Sequence, residues 1–237
     1  MSRPLSLIVP IFNEEEILIS RVETLLSAIE ASYGPAEILL SENGSMDRTK
    51  TIARELAAKH PQVRALIDDG GACYGRALLE GMRAAAHDEA AILELDYLDL
   101  DFLDRGYEEL ARYDLVIGSK KLSPGIDRRP LSRRVFTELY NFLLRHACKV
   151  PLTETHGLKV FRISRLLPLA EVCQTKGAVW PSELCVRAAL SPEISVKEIP
   201  LSLPLTEIRT TRLRPLSRLR RTLEDIAKLR SIVTGAS

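Results

Sequence analysis

Three aspartates stand close together near the middle of the chain, at Asp96, Asp99 and Asp101. They directly follow an apolar segment, residues 90–95, that is predicted to form a buried strand. Clustered carboxylates repel one another unless a cation or a basic ligand offsets their charge. Hard oxygen ligands of this kind suit Mg²⁺ or Mn²⁺, ions that in turn neutralise a diphosphate. The alternative is a solvated acidic turn, since aspartate is common in turns.

Two further polar segments also begin where an apolar segment ends. In residues 41–49, Gly44 permits a tight turn and Ser45 can cap the following helix, whose N-terminus favours an anion or a polar base edge. Residues 70–77 are glycine-rich at a helix start, and Arg76 can meet a phosphate. The second segment matches neither the dinucleotide fingerprint nor a P-loop. Either segment alone also fits an ordinary connection from strand to helix.

The first half of the chain alternates strand-like and helix-like segments. The predicted strands are residues 5–9, 37–40, 63–67, 90–95 and 115–118, the first ending at Pro10, and the predicted helices are 14–31, 47–59 and 74–86. Short apolar strands separated by amphipathic helices indicate an α/β fold with a mostly parallel sheet and helices on both faces. The carboxyl ends of such strands meet at one edge, where these sheets bind ligands. The polar segments are therefore expected to lie together.

The second half is organised differently. A basic loop at 128–134 leads into a helix at 131–147, and the remaining elements are a strand within 153–161, a helix at 180–189, a strand at 194–199 and a helix at 215–233. The last helix has an apolar stripe opposite a strongly basic face. Such a helix can lie on an anionic membrane, or its stripe can dock on the domain or on a second copy.

The composition is that of an ordinary globular protein. The chain has 237 residues, 46% of them hydrophobic, and 33 basic against 32 acidic residues give a net charge of +1. Disorder and a whole-protein basic field for nucleic acid are therefore excluded. No apolar run is long enough to span a bilayer, and the N-terminus lacks a signal-peptide layout. We expect a cytoplasmic protein with free cysteines, since no Cys-x-x-Cys pair occurs.

Taken in order, these segments resemble family 2 glycosyltransferases with the GT-A (Rossmann-like) fold, and among them the polyprenyl-phosphate sugar synthases of the dolichol-phosphate mannose or glucose synthase type. The similar segments are residues 9–14 (Pro-x-Tyr-Asn-Glu in the family), 42–47 (Asp-Asp-Gly-Ser-x-Asp), 75–81 (basic and glycine-rich), 96–101 (Asp-x-Asp), 114–120 (Asp-x-Val-x-Gly-Ser-Arg), 154–159 (Asp-Thr-x-x-Gly-Phe-Lys) and 198–200 (Glu-x-Pro). Glu42 and Asn43 replace two aspartates, Lys120 replaces an arginine, and Glu154 replaces an aspartate. The resemblance implies a glycosyltransferase domain at 1–212, followed by the amphipathic helix and tail at 213–237.

The resemblance also implies a nucleotide-diphospho-sugar donor of the GDP-mannose or UDP-glucose type, held through Mg²⁺ or Mn²⁺. The residues implied for the donor are Pro10, Phe12, Asn13, Glu14, Glu42, Asn43, Gly44, Ser45, Asp69, Arg76, Asp96, Arg209 and Arg212. The metal ligands are either Asp96 with Asp99 or Asp99 with Asp101. The residues implied for catalysis are Asp99, Asp101, Lys120 and Arg133.

The implied acceptor is a polyprenyl or dolichyl phosphate at a membrane surface, which attacks the anomeric carbon of the donor sugar with inversion. Its phosphate is already an anionic nucleophile and needs no general base. Lys120, Arg129, Arg133 and Arg134 are the residues expected to position it. A sugar hydroxyl as acceptor would instead require a base, for which Glu154, Asp101 and His156 are the candidates. Three further expectations remain open: the protein can attach peripherally to the cytoplasmic face of the membrane, it can form a homodimer, and it can bind a nucleotide-sugar without turnover.

Overall fold

The computed structural model describes residues 3–68, 70–123, 130–202 and 215–234. Within them, seven strands form one sheet in the order β3-β2-β1-β4-β6-β5-β7. The strands are β1 (Leu5–Ile11), β2 (Ala36–Glu42), β3 (Val63–Leu66), β4 (Glu89–Ile92), β5 (Leu115–Ser119), β6 (Lys159–Arg162) and β7 (Val196–Pro200). β6 runs antiparallel to β4 and β5, and the other pairings are parallel. The predicted mostly parallel α/β sheet is confirmed.

Helices cover both faces of this sheet. They are α1 (Leu18–Ser32), α2 (Thr49–Lys59), α3 (Tyr74–Ala84), α4 (Leu100–Glu109), α5 (Leu131–Cys148), α6 (Ile163–Glu171), α7 (Trp180–Leu190) and α8 (Pro215–Thr234). The side chains of α1, α2 and α4 pack into one apolar core, and those of α3, α5, α6, α7 and α8 pack into a second core on the opposite face. Two buried faces explain why the strands are apolar almost throughout.

The first strand extends further than its proline suggests. The prediction that it ends at Pro10 is wrong, because β1 runs to Ile11 and Pro10 is paired in register with Ser41 of β2. The carbonyl of Ile8 accepts the N–H of Leu93, so this residue faces β4. Pro10 faces the same side two residues later, where the pairing with β4 has ended, and its missing N–H leaves no ladder bond unmade.

The reversed strand β6 brings an extra loop to the functional edge. An antiparallel strand begins at the edge where its parallel neighbours end. The loop that precedes Lys159 therefore lies beside the carboxyl ends of β4 and β5. The sequence predicts a strand here but not its direction.

The C-terminal helix rests on the rest of the fold at the positions that are described. Ile226 and Leu229 of α8 are buried in the same core as residues of α5 and α7. At these two positions the apolar stripe of the helix docks on the domain. No helix in the described part of the chain is both long and apolar enough to cross a membrane.

Candidate active site

The loops that leave β1 and β2 are tied together by hydrogen bonds. Asn13 has a left-handed backbone, with φ of 53°, which asparagine tolerates well. Its N–H donates to Oγ of Ser45 at 3.0 Å, and its Oδ1 accepts from the N–H of Met46 at 2.9 Å. The N–H of Glu14 donates to Oγ1 of Thr49 at 2.7 Å. The two predicted donor-binding loops therefore form one connected surface.

Glu42 ends β2 and presents a buried carboxylate to this surface. Its Oε1 accepts from the N–H of Ser45, and Nζ of Lys50 lies 3.6 Å from Oε2. Within the described residues, Oε2 is buried without a hydrogen-bond partner. A carboxylate oxygen only accepts hydrogen bonds, so this atom can receive an N–H from a ligand.

The β2 loop also contacts the start of α3. Oδ1 of Asn43 accepts from the N–H of Cys73 at 2.6 Å. Gly44 has φ of 79°, and a Cβ at this position would lie 2.5 Å from the backbone nitrogen of Ala72. Both the backbone angle and this close approach require glycine. The glycine-rich segment is thus held against the exit of β2.

Glu94 is a candidate site residue that the sequence pattern does not indicate. The predicted strand includes it, but β4 ends two residues earlier, so Glu94 lies in the loop at the sheet edge. The hydroxyl of Tyr74 donates to its Oε1. Burial raises the pKa of the Glu94 carboxyl, and the Tyr74 hydrogen bond and the charges of Lys159 and Lys120 oppose that rise. Asp96 follows two residues later and is exposed.

The other two aspartates of the acidic run serve α4. Asp99 is fully buried and caps the helix, with Oδ1 accepting from the N–H of Phe102 at 3.0 Å and Oδ2 accepting from the N–H of Ser202 at 2.6 Å. Asp101 is exposed and accepts from Nε of Arg105 at 2.8 Å. Both predicted pairs of metal ligands include Asp99. In the structure, however, both oxygens of Asp99 accept backbone N–H groups.

Lys120 and Glu154 form an ion pair on the β5–β6 side of the edge. Nζ of Lys120, just after β5, lies 3.1 Å from Oε2 of Glu154, in the loop before β6. Oε1 of Glu154 accepts from the N–H groups of Thr155 and His156 at 3.1 and 3.0 Å. Burial alone would raise the pKa of Glu154, but the charge of Lys120 and the hydrogen bond from the backbone N–H of His156 hold it below its usual range. This carboxylate is therefore ionised, and both of its oxygens already have partners within the chain.

A second carboxylate fixes the same loop from β7. Glu198 accepts from the N–H of Thr153 at 2.9 Å, from the hydroxyl of Thr153 at 3.0 Å and from the N–H of Glu154 at 2.8 Å. Glu198 is paired in register with Ile117 of β5, so its position is set by the sheet. The loop that presents Glu154 to Lys120 is consequently anchored on both sides.

His156 is built into the interior as a neutral imidazole. Burial lowers its pKa to about 4. Its Nε2 lies 2.9 Å from the carbonyl oxygen of Ala178, which accepts a hydrogen bond, so Nε2 carries the proton. The ring packs edge-on against Tyr140, with centroids 5.3 Å apart. This geometry is that of a structural histidine.

A cavity of about 490 Å³ opens beside the ion pair. Its charged lining residues are Lys120, Lys121, Arg134, Glu138, Arg145 and Glu154. Apolar side chains of α5 complete the lining, among them Val135 and Phe142, which are 55% and 47% exposed. Leu131, one turn before Val135, is 72% exposed. Cationic groups and uncovered apolar surface thus lie side by side.

A second cavity, of about 810 Å³, lies between the ends of β2 and β3 and helix α3. Ser41 and Glu42 line it from the sheet, and Asp68 and Arg76 line it from the other side. Arg76 pairs with Asp68 and donates to the carbonyl of Gly71 at 2.5 Å. The predicted phosphate-binding arginine is therefore beside the buried Glu42 carboxylate.

The remaining predicted residues divide into two groups. Pro10 is buried at the end of β1, and Phe12 follows it at the surface. Arg133 lies in the first turn of α5, with a side chain outside the described residues. Asp69, Arg129, Arg209 and Arg212 also lie outside the described residues.

The sheet order, the tied loops at its carboxyl edge and the acidic turn after β4 are those of an α/β fold that binds ligands at one edge of its sheet. Residues 6–161 match the family described as "Glycosyl transferase family 2". This match covers more than half of the chain, and the chain belongs to that family.

Curated relatives include proteins named for transfer to lipid phosphates. The chain is 28% identical over 190 residues to glycosyltransferase AglD of Haloferax volcanii, covering 77% of this chain and 30% of the relative. It is 22% identical over 216 residues to the dolichyl-phosphate beta-glucosyltransferase ALG5A of Trichomonas vaginalis, covering 86% and 64%. It is 32% identical over 152 residues to the undecaprenyl-phosphate 4-deoxy-4-formamido-L-arabinose transferase of Pectobacterium carotovorum, covering 60% and 43%. The chain thus spans less than two thirds of each.

Solved structures agree on the fold. Glucosyl-3-phosphoglycerate synthase from Mycobacterium tuberculosis, in complex with Mn²⁺, uridine diphosphate and glucosyl-3-phosphoglycerate, aligns with a TM-score of 0.62 at 18% identity, covering 96% of this chain and 80% of that one. The complex of the same synthase with Mn²⁺, uridine diphosphate and phosphoglyceric acid gives a TM-score of 0.64 at 19% identity, covering 96% and 78%. The predicted GT-A-like fold and glycosyltransferase class are confirmed.

Proposed function

We propose that this glycosyltransferase moves a sugar from a nucleotide-diphospho-sugar to a polyprenyl or dolichyl phosphate, with inversion at the anomeric carbon. The observation that carries the proposal is the cavity beside α5, where Lys120 and Arg134 adjoin exposed apolar side chains. A phosphate attached to a long hydrocarbon chain has both of the chemistries that this cavity offers. The relatives named for dolichyl and undecaprenyl phosphate support the same acceptor class.

The donor site is proposed at the exits of β1, β2 and β4. Oε2 of Glu42, which has no hydrogen-bond partner among the described residues, would accept an N–H of the nucleotide base, and the N-terminus of α3 with Arg76 would face the diphosphate. Both guanine and uracil present such an N–H, so GDP-mannose and UDP-glucose remain the two donor types to test.

Glu94 and Asp96 are the residues proposed to hold a divalent cation. Their carboxylate oxygens fit Mg²⁺ or Mn²⁺, and the bound ion would neutralise the diphosphate as it leaves. Among the described residues no three His, Cys, Asp or Glu side chains come together as a ready metal site. Phosphate oxygens of the donor would therefore complete the coordination, so that metal and nucleotide bind together.

In the transfer step, an anionic oxygen of the acceptor phosphate attacks the anomeric carbon on the face opposite the diphosphate. The bond from that carbon to the diphosphate oxygen breaks, and the nucleoside diphosphate leaves with the electron pair. Lys120 and Arg134, with Arg129 and Arg133 of the same basic segment, would hold the acceptor phosphate and shield it from the negative donor. No proton has to be removed.

The three candidate bases are engaged within the chain, which disfavours a hydroxyl acceptor. The Glu154 carboxylate is paired with Lys120, and its pKa is lowered. His156 has its Nε2 proton directed to a carbonyl, and Asp101 is paired with Arg105. A hydroxyl acceptor needs a base near the operating pH within reach of its proton. An acceptor that is already ionised needs none of these three groups.

The test is transfer of radiolabelled sugar from UDP-glucose and from GDP-mannose, with Mn²⁺, in the presence of either polyprenyl phosphate or phosphoglyceric acid. We expect label in the organic phase, released as free sugar by mild acid, with one of the two donors. Label found only in a water-soluble product would contradict the lipid acceptor. Metal-dependent nucleotide binding without any product would indicate a binding protein without turnover.

A further inference from the structure

Tyr74, the first residue of α3, contacts the proposed metal site from outside the acidic turn. Its hydroxyl donates to Oε1 of Glu94. The next residue, Gly75, packs so closely on α7 that a Cβ there would lie 2.6 Å from the side chain of Trp180. This contact fixes the start of α3 relative to α7, and with it the position of the Tyr74 phenol.

A glutamate in this position needs such a support. Its side chain has one more rotatable bond than that of aspartate, and ordering it costs more conformational entropy. The fully buried Lys159, whose Nζ donates to the carbonyl of Gly157 at 2.9 Å, acts on Glu94 by its charge from the β6 side. The phenol of Tyr74 acts from the α3 side by a directed hydrogen bond.

We infer that Tyr74 is a positioning residue for the divalent cation that Glu94 and Asp96 would hold, an inference that rests on the proposed function. A hydrogen bond to Oε1 orients the carboxylate and leaves its second oxygen for the cation. Partners of this kind, which hold a ligand without touching the ion, are worth about 10- to 100-fold in metal affinity. The contact also links the proposed metal site to α3, whose N-terminus would face the donor diphosphate.

The test is the variant Tyr74→Phe, with Mn²⁺ binding measured directly from the electron paramagnetic resonance signal of free Mn²⁺ in the presence of UDP or GDP. We expect about 10- to 100-fold weaker Mn²⁺ binding, with nucleotide binding in the absence of metal unchanged; the lost hydrogen bond to the buried Glu94 will also lower the unfolding temperature. A purely structural role of the tyrosine would change unfolding and leave the Mn²⁺ affinity alone.

Tyr97→Phe is the matched control, because it removes a phenol of the same region that donates to Oδ2 of Asp99 at 3.3 Å. We expect this control to bind Mn²⁺ as the wild type does. If Asp99 were the metal ligand, Tyr97→Phe would weaken binding and Tyr74→Phe would not, and the inference would be overturned.

The variant Glu94→Asp keeps the charge but withdraws the carboxylate from Tyr74. It should weaken Mn²⁺ binding by itself, and adding Tyr74→Phe to it should have little further effect, because the two changes remove one interaction. Fully additive losses would overturn the inference. If the wild-type chain shows no Mn²⁺-dependent binding of either nucleotide, the proposed function fails and the inference fails with it. Normal wild-type binding with an unaffected Tyr74→Phe variant defeats the inference alone.

Discussion

The two sides of the sheet edge differ in how their polar groups are satisfied. On the side proposed to bind the donor, here called the donor edge and formed by the exits of β1, β2 and β4 with the start of α3, side-chain oxygens of residues such as Asn13, Asn43 and Ser45 accept the chain's own N–H groups. On the side proposed to bind the acceptor, here called the acceptor edge and formed by the end of β5, the loop before β6 and α5, Lys120 and Arg134 line an open cavity. The loops of the donor edge are thus tied to one another, whereas the acceptor edge, although Lys120 is paired with Glu154, leaves apolar side chains of α5 exposed beside its cations.

This difference is consistent with two ligands of different kinds. A nucleotide-diphospho-sugar has many directed hydrogen-bonding groups and is recognised best by a preformed site. A lipid phosphate has one anionic group and a chain without directed contacts, for which a cationic cavity beside an apolar helix face is sufficient.

The largest effect is expected on the donor edge. Asp96→Asn removes a carboxylate from the proposed metal site, and we expect activity to fall on the order of 10³-fold, since the ion supplies several kcal/mol of charge stabilisation. Calorimetric titration of the nucleotide should lose its dependence on Mn²⁺. The control is Asp101→Asn, an exposed member of the same acidic run that pairs with Arg105. Equal losses in the two variants would contradict the assignment.

On the acceptor edge, Lys120→Gln should lower kcat/KM for the lipid phosphate by about 10²- to 10³-fold, because it removes one charged contact to the reacting phosphate. Donor binding should be unchanged. The change leaves Glu154 buried and unpaired, so the double variant Lys120→Gln with Glu154→Gln is needed to separate activity from stability. Lys59→Gln, an exposed lysine of α2, is the control. Normal lipid turnover by the double variant would refute the role of Lys120.

The buried His156 of the acceptor edge should make the stability of the protein depend on pH. Its pKa is lowered to about 4 in the folded protein, against 6.5 for an ordinary histidine. Between pH 6.5 and 4 this histidine is protonated in the unfolded chain but neutral in the folded protein. The free energy of unfolding therefore falls as the pH drops below 6.5. By pH 5 we expect a loss of about 2 kcal/mol in the free energy of unfolding relative to pH 7.5.

Denaturant unfolding of the wild type and of His156→Gln measures this effect. The loss between pH 7.5 and 5 should be smaller in the variant by about that amount. The same pH slope in both proteins would show that His156 is not the group responsible.

The smallest effect is expected from the apolar stripe of α5. The double variant Val135→Ser, Phe142→Ser should raise KM for a long-chain polyprenyl phosphate about 10-fold. The lipid chain would cover each of these side chains only in part, so each contributes about 1.5 kcal/mol or less to lipid binding. KM for a short-chain, water-soluble prenyl phosphate should not change. Val172→Ser, at the end of α6, is a matched control, since Val172 is as exposed as Val135. Equal effects on the long and short acceptors would refute contact with the lipid chain.

The sequence predicts the first half of the fold well because its strands are apolar throughout and its helices have clear periodicity. It misses α6, where Pro168 interrupts the pattern that indicates a helix. It misses α4 because Asp99 and Asp101 suggest a ligand-binding turn, whereas the structure uses Asp99 as the cap of that helix. The spacing of Phe102, Leu103 and Gly106, which are buried on one side, is the signal that predicts this helix.

The site is predictable where it depends on strand ends and less so where it depends on long-range contacts. Asn13, Glu42 and Asn43 lie at the edge that the alternation of strands and helices indicates. Glu94 is missed because the apolar run continues through Leu95, although pairing stops two residues before Glu94. The pairing of Lys120 with Glu154 depends on the reversed direction of β6, which no local pattern specifies.

The most direct test of a lipid-phosphate acceptor compares two compounds that differ in one group, polyprenyl phosphate and the corresponding polyprenol, with the same donor and Mn²⁺ at pH 7. We predict a glycosylated product from the phosphate and none from the alcohol, since the acceptor edge offers cations for a phosphate, whereas the candidate bases Glu154, Asp101 and His156 are engaged within the chain. A product formed from the alcohol at a comparable rate would contradict this prediction.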